Sequence, residues 1–283
     1  MNAFTQPPNA PGSFGELLVA AGVIDVEELR QALSEQAREA KRGHWVLLGQ
    51  VLLAWELITP EQLEASLVTQ SMYQQRTHFE GQTHPSVNST LKRAVDVVGA
   101  LVGLGVTASV LPLIAGAIKL EDGGPLFFRQ TRVGLQGRQF GILKFRTMIP
   151  DADRRKLSVA SESATFFGAR SDNRITRVGR LLRKTLLDEL PQFWNVLVGE
   201  MSLVGTRPPT LDEVWHYEDR HWSRLAVKGG MTGMWQATSD RHGKSFEEVV
   251  ELDTEYAKRW SLGLDVLILV KTVLAAVQTV RRA

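Results

Sequence analysis

The chain has 283 residues, enough for one large domain or two smaller ones, and its 43% apolar content is that of a folded protein. A net charge of +2 is too mild to select a nucleic-acid partner by itself. The absence of cysteine excludes a disulfide framework, thiolate catalysis and thiolate zinc sites, and it fits a reducing compartment.

Residues 1–12 are polar and Pro-rich and read as disordered. They lack the apolar core of a signal peptide, so export by a cleaved N-terminal signal is not expected. An internal repeat follows. "FGELLVAAGVIDVEELRQALSEQ" (14–36) realigns on "LGQVLLAWELITPEQLEASLVTQ" (48–70) with Gly15 falling on Gly49. At that offset Leu18, Ile24, Leu29, Leu33 and Gln36 fall on Leu52, Ile58, Leu63, Leu67 and Gln70. Each copy reads as a short helix, a turn and a second helix. Asp25 and Thr59 suit N-caps of the second helices, with Glu28 and Gln62 three residues on and Pro60 in a first turn. Two such hairpins can bury each other's apolar faces, which predicts a small all-α module over 13–76.

Residues 77–90 read as a linker, on the polar, Gly- and Pro-containing run "FEGQTHPSVNST". Beyond it, "AVDVVGALVGLGVTASVLPLIAGAIKL" (94–120) has Asp96 as its one charge between Arg93 and Lys119. A bilayer's hydrocarbon core needs ~20 such residues. Pro112 lies well inside the stretch and removes a helical hydrogen bond. Basic residues flank both ends, Lys92 and Arg93 before and Lys119, Arg129 and Arg132 after, so charge gives a crossing no preferred orientation. The favoured expectation is a re-entrant, monotopic helix–break–helix over 91–120, broken at Pro112. A single span is the runner-up.

Strand-like runs with turns at Gly134 and Gly137 fill 124–148. Alternation in "FGILKFRT" puts Lys144 and Arg146 on one face, as a solvated edge or a phosphate site. From Arg170 to Lys184, Arg174, Arg177, Arg180 and Arg183 recur every three residues, a drifting basic stripe on a helix. Such a stripe suits nucleic-acid phosphates, anionic lipid or a phosphorylated substrate. Nucleic acid is the weakest of these, because acids follow directly and a membrane segment precedes. The C-terminal run "WSLGLDVLILVKTVLAAVQTV" carries Asp265 and Lys271, so it reads as a helix packed on the domain or lying in the interface rather than a span.

Between these segments stand Asp188 and Glu189, adjacent acids at a helix boundary. Asp188 suits an N-cap of a helix starting near Leu190–Pro191. It equally suits a reactive carboxylate, kept ionised by arginines and a helix N-terminus, that attacks phosphorus and shares a magnesium ion with a diphosphate. Neighbours on a helix diverge in direction, so the two acids would hold distinct roles.

The stretch "LRKTLLDELPQFWNVLVGEMSLVGTRP" resembles the bacterial sugar transferases, the monotopic polyprenyl-phosphate phosphoglycosyl transferases. "KRAVDVVGALV", "GPLFFRQTRVG", "KFRTM", "GGMTGMWQ" and "ELDTEYAKRWSLGLDVLILVKT" agree in order, so the resemblance covers roughly 91–280 and implies a transferase domain over 91–283. It implies a UDP-sugar donor, a polyprenyl (undecaprenyl) phosphate acceptor, Mg²⁺, and a ping-pong reaction at the cytoplasmic face of a bacterial inner membrane, initiating exopolysaccharide, capsule or O-antigen synthesis. Asp188 would be the nucleophile and Glu189 its helper, both near the metal. Arg207 would hold phosphate oxygens, with Lys144, Arg146, Arg183, Gln236 and Asp253 supporting. Thr206 departs from the family's usual proline, and Lys228–Gly229 from its usual Arg-Pro.

The repeat is similar to the N-terminal domain of type II secretion and type IV pilus ATPases, some of which bind cyclic di-GMP. Its arginine is missing: Ser13 and Leu47 stand in that place. A protein-docking or structural module is favoured over a cyclic di-GMP site. The sequence thus predicts an α+β, mostly helical chain with a small β element, the transferase domain preceded by an all-α repeat module. The alternative is a catalytically inactive membrane adaptor. A homo-oligomer stays open.

Overall fold

The computed structural model describes residues 14–42, 46–76, 83–150, 152, 174–215, 217–238 and 244–281. The readings of residues 1–12, Ser13, 77–82 and Arg170 lie outside the described residues. The chain divides into two compact units, Met1–Gln82 with Leu211–His216, and Thr83–Thr210 with Tyr217–Ala283.

In the first unit α1 (Phe14–Ala20), α2 (Val26–Lys41), α3 (Leu48–Ala54) and α4 (Pro60–Arg76) enclose a core of Leu18, Ile24, Ala32, Val51, Leu52 and Ile58. Equivalent positions do equivalent work. Asp25 accepts from the Glu28 N–H at 2.7 Å while Glu28 accepts from the Asp25 N–H, also at 2.7 Å. Thr59 and Gln62 make the same reciprocal bonds at 3.2 and 2.8 Å, satisfying helix-start donors. Gly15 lies against Leu29 and Gly49 against Leu63, each so closely that a Cβ would overlap the leucine methyl. Gly22 and Glu56 both take the left-handed conformation, with φ of 66° and 57°. A short helix α9 (Leu211–Trp215) completes this unit.

The second unit begins earlier than the sequence suggested. Residues 83–90 are not linker: α5 (Pro85–Asn88) is capped by His84, whose Nε2 bonds the Ala257 carbonyl at 2.7 Å. The reason is a side chain: a histidine in a Gly/Pro-rich run found a partner 173 residues away. Helix α6 (Thr90–Asp122) follows, capped by Ser89 at its start and by left-handed Gly123 at its end. Then come an antiparallel hairpin of β1 (Phe127–Val133) and β2 (Gln139–Phe145), α7 (Arg177–Thr185), α8 (Gln192–Val198), β3 (Ser202–Val204), β4 (Gly230–Thr232), α10 (Phe246–Arg259) and α11 (Leu262–Arg281). Strands β3 and β4 pair in parallel. The described residues are mostly helical with two small two-stranded sheets.

Helix α6 is long and apolar enough to cross a membrane. The break expected at Pro112 is not an interruption, because helix continues through it. Proline forfeits one hydrogen bond there, and packing on both sides holds the helical backbone. Lys92, Asp96, Ala100, Gly103, Thr107, Ile114 and Ile118 make one buried stripe along the whole helix. Leu91, Val95, Val98, Leu101, Val102, Val106, Leu113 and Leu120 stay exposed. Both ends are tied to the same unit. Arg93 donates to the Val196 and Leu197 carbonyls at 2.7 and 2.6 Å, and Glu121 accepts from the Arg177 and Val178 N–H groups at 2.6 and 3.0 Å.

The acids of the two long apolar helices, Asp96 and Asp265, are buried and hydrogen-bonded. Asp96 accepts from the Ser202 hydroxyl and the Leu203 N–H, both at 2.9 Å. Asp265 on α11 binds Lys92 at 2.7 Å and accepts from Tyr256 and Trp260. Helix α11 therefore packs on the domain through Asp265, as its charge suggested.

Candidate active site

Asp188 sits on a single 3₁₀ turn, Leu187–Glu189, between α7 and α8. It is not the N-cap of α8, which starts at Gln192 after Pro191 without a side-chain cap. The turn is entered through Leu186 in the left-handed conformation at φ 60°, a costly geometry for a leucine.

Three elements converge on this turn. Strand β2 brings Lys144, whose Nζ meets the Glu189 carboxylate at 2.8 Å. Helix α7 brings Arg183, whose Nε donates to the Thr147 hydroxyl at 2.8 Å. Gly179 lets α7 lie directly on the Thr147 backbone, where a Cβ would strike the carbonyl oxygen. Helix α8 is fixed to β2 by Asn195, which donates to Gly141 O at 2.9 Å and accepts from Leu143 N–H at 3.0 Å. Helix α6 touches the turn's far side, with the Thr107 hydroxyl 3.3 Å from Leu190 O.

Burial and charge oppose each other at Asp188. Desolvation pushes its carboxyl up to about 6, and the neighbouring Glu189 charge adds to the rise. Lys144 and Arg183 pull it down without overcoming that. The expectation of a firmly ionised acid is corrected to this extent: burial wins over the cations. The group is still mainly ionised near neutrality, as a nucleophile must be.

The sequence candidates separate into different places. Asp188, Glu189, Lys144 and Arg183 come together. Arg146 is a correction: its buried guanidinium is paired with Asp122 and also donates to the Pro125 and Met148 carbonyls, so it anchors the C-terminal end of α6 instead of facing a phosphate. Alternation ends at the strand's last residue, Phe145, and Arg146 turns away.

The basic stripe also divides. Helix α7 starts at Arg177, so Arg174 lies outside it and donates to Ala152 O at 3.2 Å. Arg207 and Asp253 join a second hub: Asp253, fully buried, pairs with buried Arg224 and accepts from the Arg207 N–H at 3.3 Å. Arg224 donates to the Arg207 carbonyl at 3.1 Å, so the pair grips the backbone that carries Arg207. Thr206 donates to Arg224 O at 2.9 Å, an anchor its usual proline could not supply. Gln236 folds back to donate to Met231 O at 3.1 Å. Sequence reading missed Asn195, Thr147 and Arg224. Only the burial of a polar side chain in the fold reveals them.

A divalent cation fits the acids in donor type. Among the described residues no group of three or more acids or histidines is placed to hold a metal ion, but Mg²⁺ commonly takes one or two carboxylates and fills its shell from substrate phosphates and water. The repulsion between Asp188 and Glu189, offset in part by Lys144 and Arg183, is what such a cation would relieve further.

The bacterial sugar transferase family model matches residues 87–279. Galactosyl transferase CpsE of Streptococcus agalactiae is 43% identical over 185 residues, 64% of this chain and 41% of that one. Exopolysaccharide production protein ExoY of Sinorhizobium fredii is 39% identical over 189 residues, 64% of this chain and 83% of that one. The UDP-glucose:undecaprenyl-phosphate glucose-1-phosphate transferase of Escherichia coli is 40% identical over 195 residues, 66% of this chain and 40% of that one. The chain thus spans less than half the length of the streptococcal and Escherichia relatives, and the matched segment contains every element converging on Asp188. This chain belongs to the bacterial sugar transferase family.

Proposed function

We propose that the chain transfers a sugar 1-phosphate from a UDP-sugar to a polyprenyl phosphate, with Asp188 as covalent nucleophile. An Asp188 oxygen attacks the sugar-bearing phosphorus, and the bond from that phosphorus to the UMP oxygen breaks, releasing UMP. The lipid phosphate oxygen then attacks the same phosphorus and frees the Asp188 carboxylate, leaving a lipid-linked diphosphosugar. The observation that carries this reading is a buried, still ionisable Asp188 beside Glu189, Lys144 and Arg183. Lys144 and Arg183 would neutralise the phosphate oxygens that otherwise repel the nucleophile. Glu189, held by Lys144, would orient the acceptor side. Mg²⁺, held by Asp188 and Glu189 with the diphosphate, would supply further charge neutralisation.

Helix α6 supports a monotopic placement, which this reading assigns to the inner membrane's cytoplasmic face. A simple span leaves its middle in lipid, whereas here the buried stripe follows the domain from Lys92 to Ile118 and both ends return to it. The exposed apolar face would lie in the bilayer, bringing the lipid acceptor to a site reached by nucleotide sugar from water. The measurement that decides the reaction is UMP release by purified chain in nanodiscs, with Mg²⁺, undecaprenyl phosphate and a panel of UDP-sugars. Turnover with one donor and silence of Asp188→Asn are expected. Full turnover by that variant would refute the nucleophile assignment.

A further inference from the structure

The hairpin's cross-strand register sets Phe128 directly opposite Lys144. Paired residues of an antiparallel ladder share a face, with Cβ atoms about 5 Å apart. On that face β2 buries Phe140 and Ile142 in the core and then emerges at Lys144, which reaches Glu189. Phe128 is thus the ring beside the cation that serves the acidic turn. It is 37% exposed, a large apolar surface at the rim of a charged cluster. Its neighbour Phe127 is already used, stacked on buried Phe145 on the opposite face with centroids 5.5 Å apart. Among the described residues Phe128 makes no such ring contact.

We infer that Phe128 is the stacking platform for the nucleoside base of the donor. The inference rests on the proposed transferase reading and deepens it at the same site. A nucleoside diphosphate sugar carries its flat base and its diphosphate on one short linkage, so a ring next to a phosphate-holding cation meets both ends of that ligand. An isoprenoid tail has no such pairing of ring and charge, and the exposed face of α6 already offers it an apolar surface. Stacking on an aromatic face is tolerant of base identity, so Phe128 would supply donor affinity rather than choice of sugar.

The test uses the full chain in nanodiscs, comparing Phe128→Ala and Phe128→Leu with wild type. UMP binding is measured by calorimetry, with ribose 5-phosphate, which lacks the base, as the second probe. Steady-state KM is measured for donor and acceptor. Expected are about tenfold weaker UMP binding and about tenfold higher donor KM in both variants, with ribose 5-phosphate binding and acceptor KM unchanged. Equal loss of UMP and ribose 5-phosphate would overturn the inference, since the phosphate cluster and not the base would have been disturbed. So would a rise in acceptor KM alone, unchanged UMP affinity, failure of wild type to bind UMP, or full recovery by leucine, which keeps bulk without a ring. If the alanine variant does not fold, the leucine variant carries the comparison. Because UMP binding needs no turnover, a wild type that binds UMP through Phe128 but releases none from UDP-sugars would sink the transferase reading and leave this one standing.

Discussion

Lys144 and Glu189 stand 45 residues apart in the chain and meet at 2.8 Å, one on the last part of a strand and the other on a 3₁₀ turn. Both side chains are part-buried, and their contact sits beside the more deeply buried Asp188. Lys144 therefore acts on two acids: it pairs with Glu189 and lowers the carboxyl of Asp188, which Glu189 raises. Replacing Lys144 with methionine removes the attraction and frees the repulsion. The Asp188 carboxyl then rises above about 6, by roughly a further half to one pH unit. The acid limb of kcat for UMP release should move to higher pH by that amount, and kcat at pH 7 should fall severalfold beyond it through lost phosphate neutralisation. A limb that stays in place would detach Lys144 from Asp188.

The raised Asp188 carboxyl also makes a stability statement. Its folded-state value of about 6 lies above the 3.8 of an ordinary aspartate, so between pH 4 and 6 the folded chain binds more protons than the unfolded one. Stability contributed by this group is therefore lost as pH rises through that window, and above it the buried charge costs about 3 kcal/mol. Asp188→Asn should raise the melting temperature at pH 7 while abolishing UMP release, and the gain should vanish near pH 4. A variant less stable than wild type at pH 7 would contradict the burial argument.

How far the sequence led can be read from particular residues. The starts of α2 and α4 were legible because capping boxes are local: Asp25 with Glu28 and Thr59 with Gln62 make bonds their spacing implies. The helix boundary at Asp188 and the strand that carries Lys144 were legible from local pattern. Arg146 misled, because alternation stops where the strand stops and its partner Asp122 lies 24 residues back. The hub of Arg224, Asp253 and Arg207 was illegible as geometry, since it joins segments 29 and 46 residues apart that only the fold brings together. Pro112 suggested a break, but tertiary contacts on both sides outweigh one lost hydrogen bond.

Glu56 occupies in the second repeat the left-handed position that Gly22 holds in the first. A side chain there costs about 1 kcal/mol relative to glycine. Glu56→Gly should therefore slow hydrogen exchange of the α3 and α4 amides by roughly fivefold, and Gly22→Ala should speed that of α1 and α2 by a similar factor. Unchanged exchange in both variants would mean that the two turns carry no strain.

The buried pair of Lys92 and Asp265 ties the start of α6 to α11, with the Lys92 ammonium also donating to Val204 O at 2.9 Å. Each side chain is only 7% exposed, so removal of one partner strands the other charge out of water. Lys92→Met or Asp265→Leu alone should cost about 3–5 kcal/mol, whereas the double variant should cost much less than their sum. The penalty is a stranded charge, and an apolar pair of similar volume does not incur it. Tyr256 and Trp260, which donate to Asp265, would lose their acceptor in either Asp265 variant, so recovery should stop short of wild type. Urea unfolding of the four proteins measures the coupling. Strict additivity would show that the two charges reach water independently, and α6 would then not be locked to α11 through this pair.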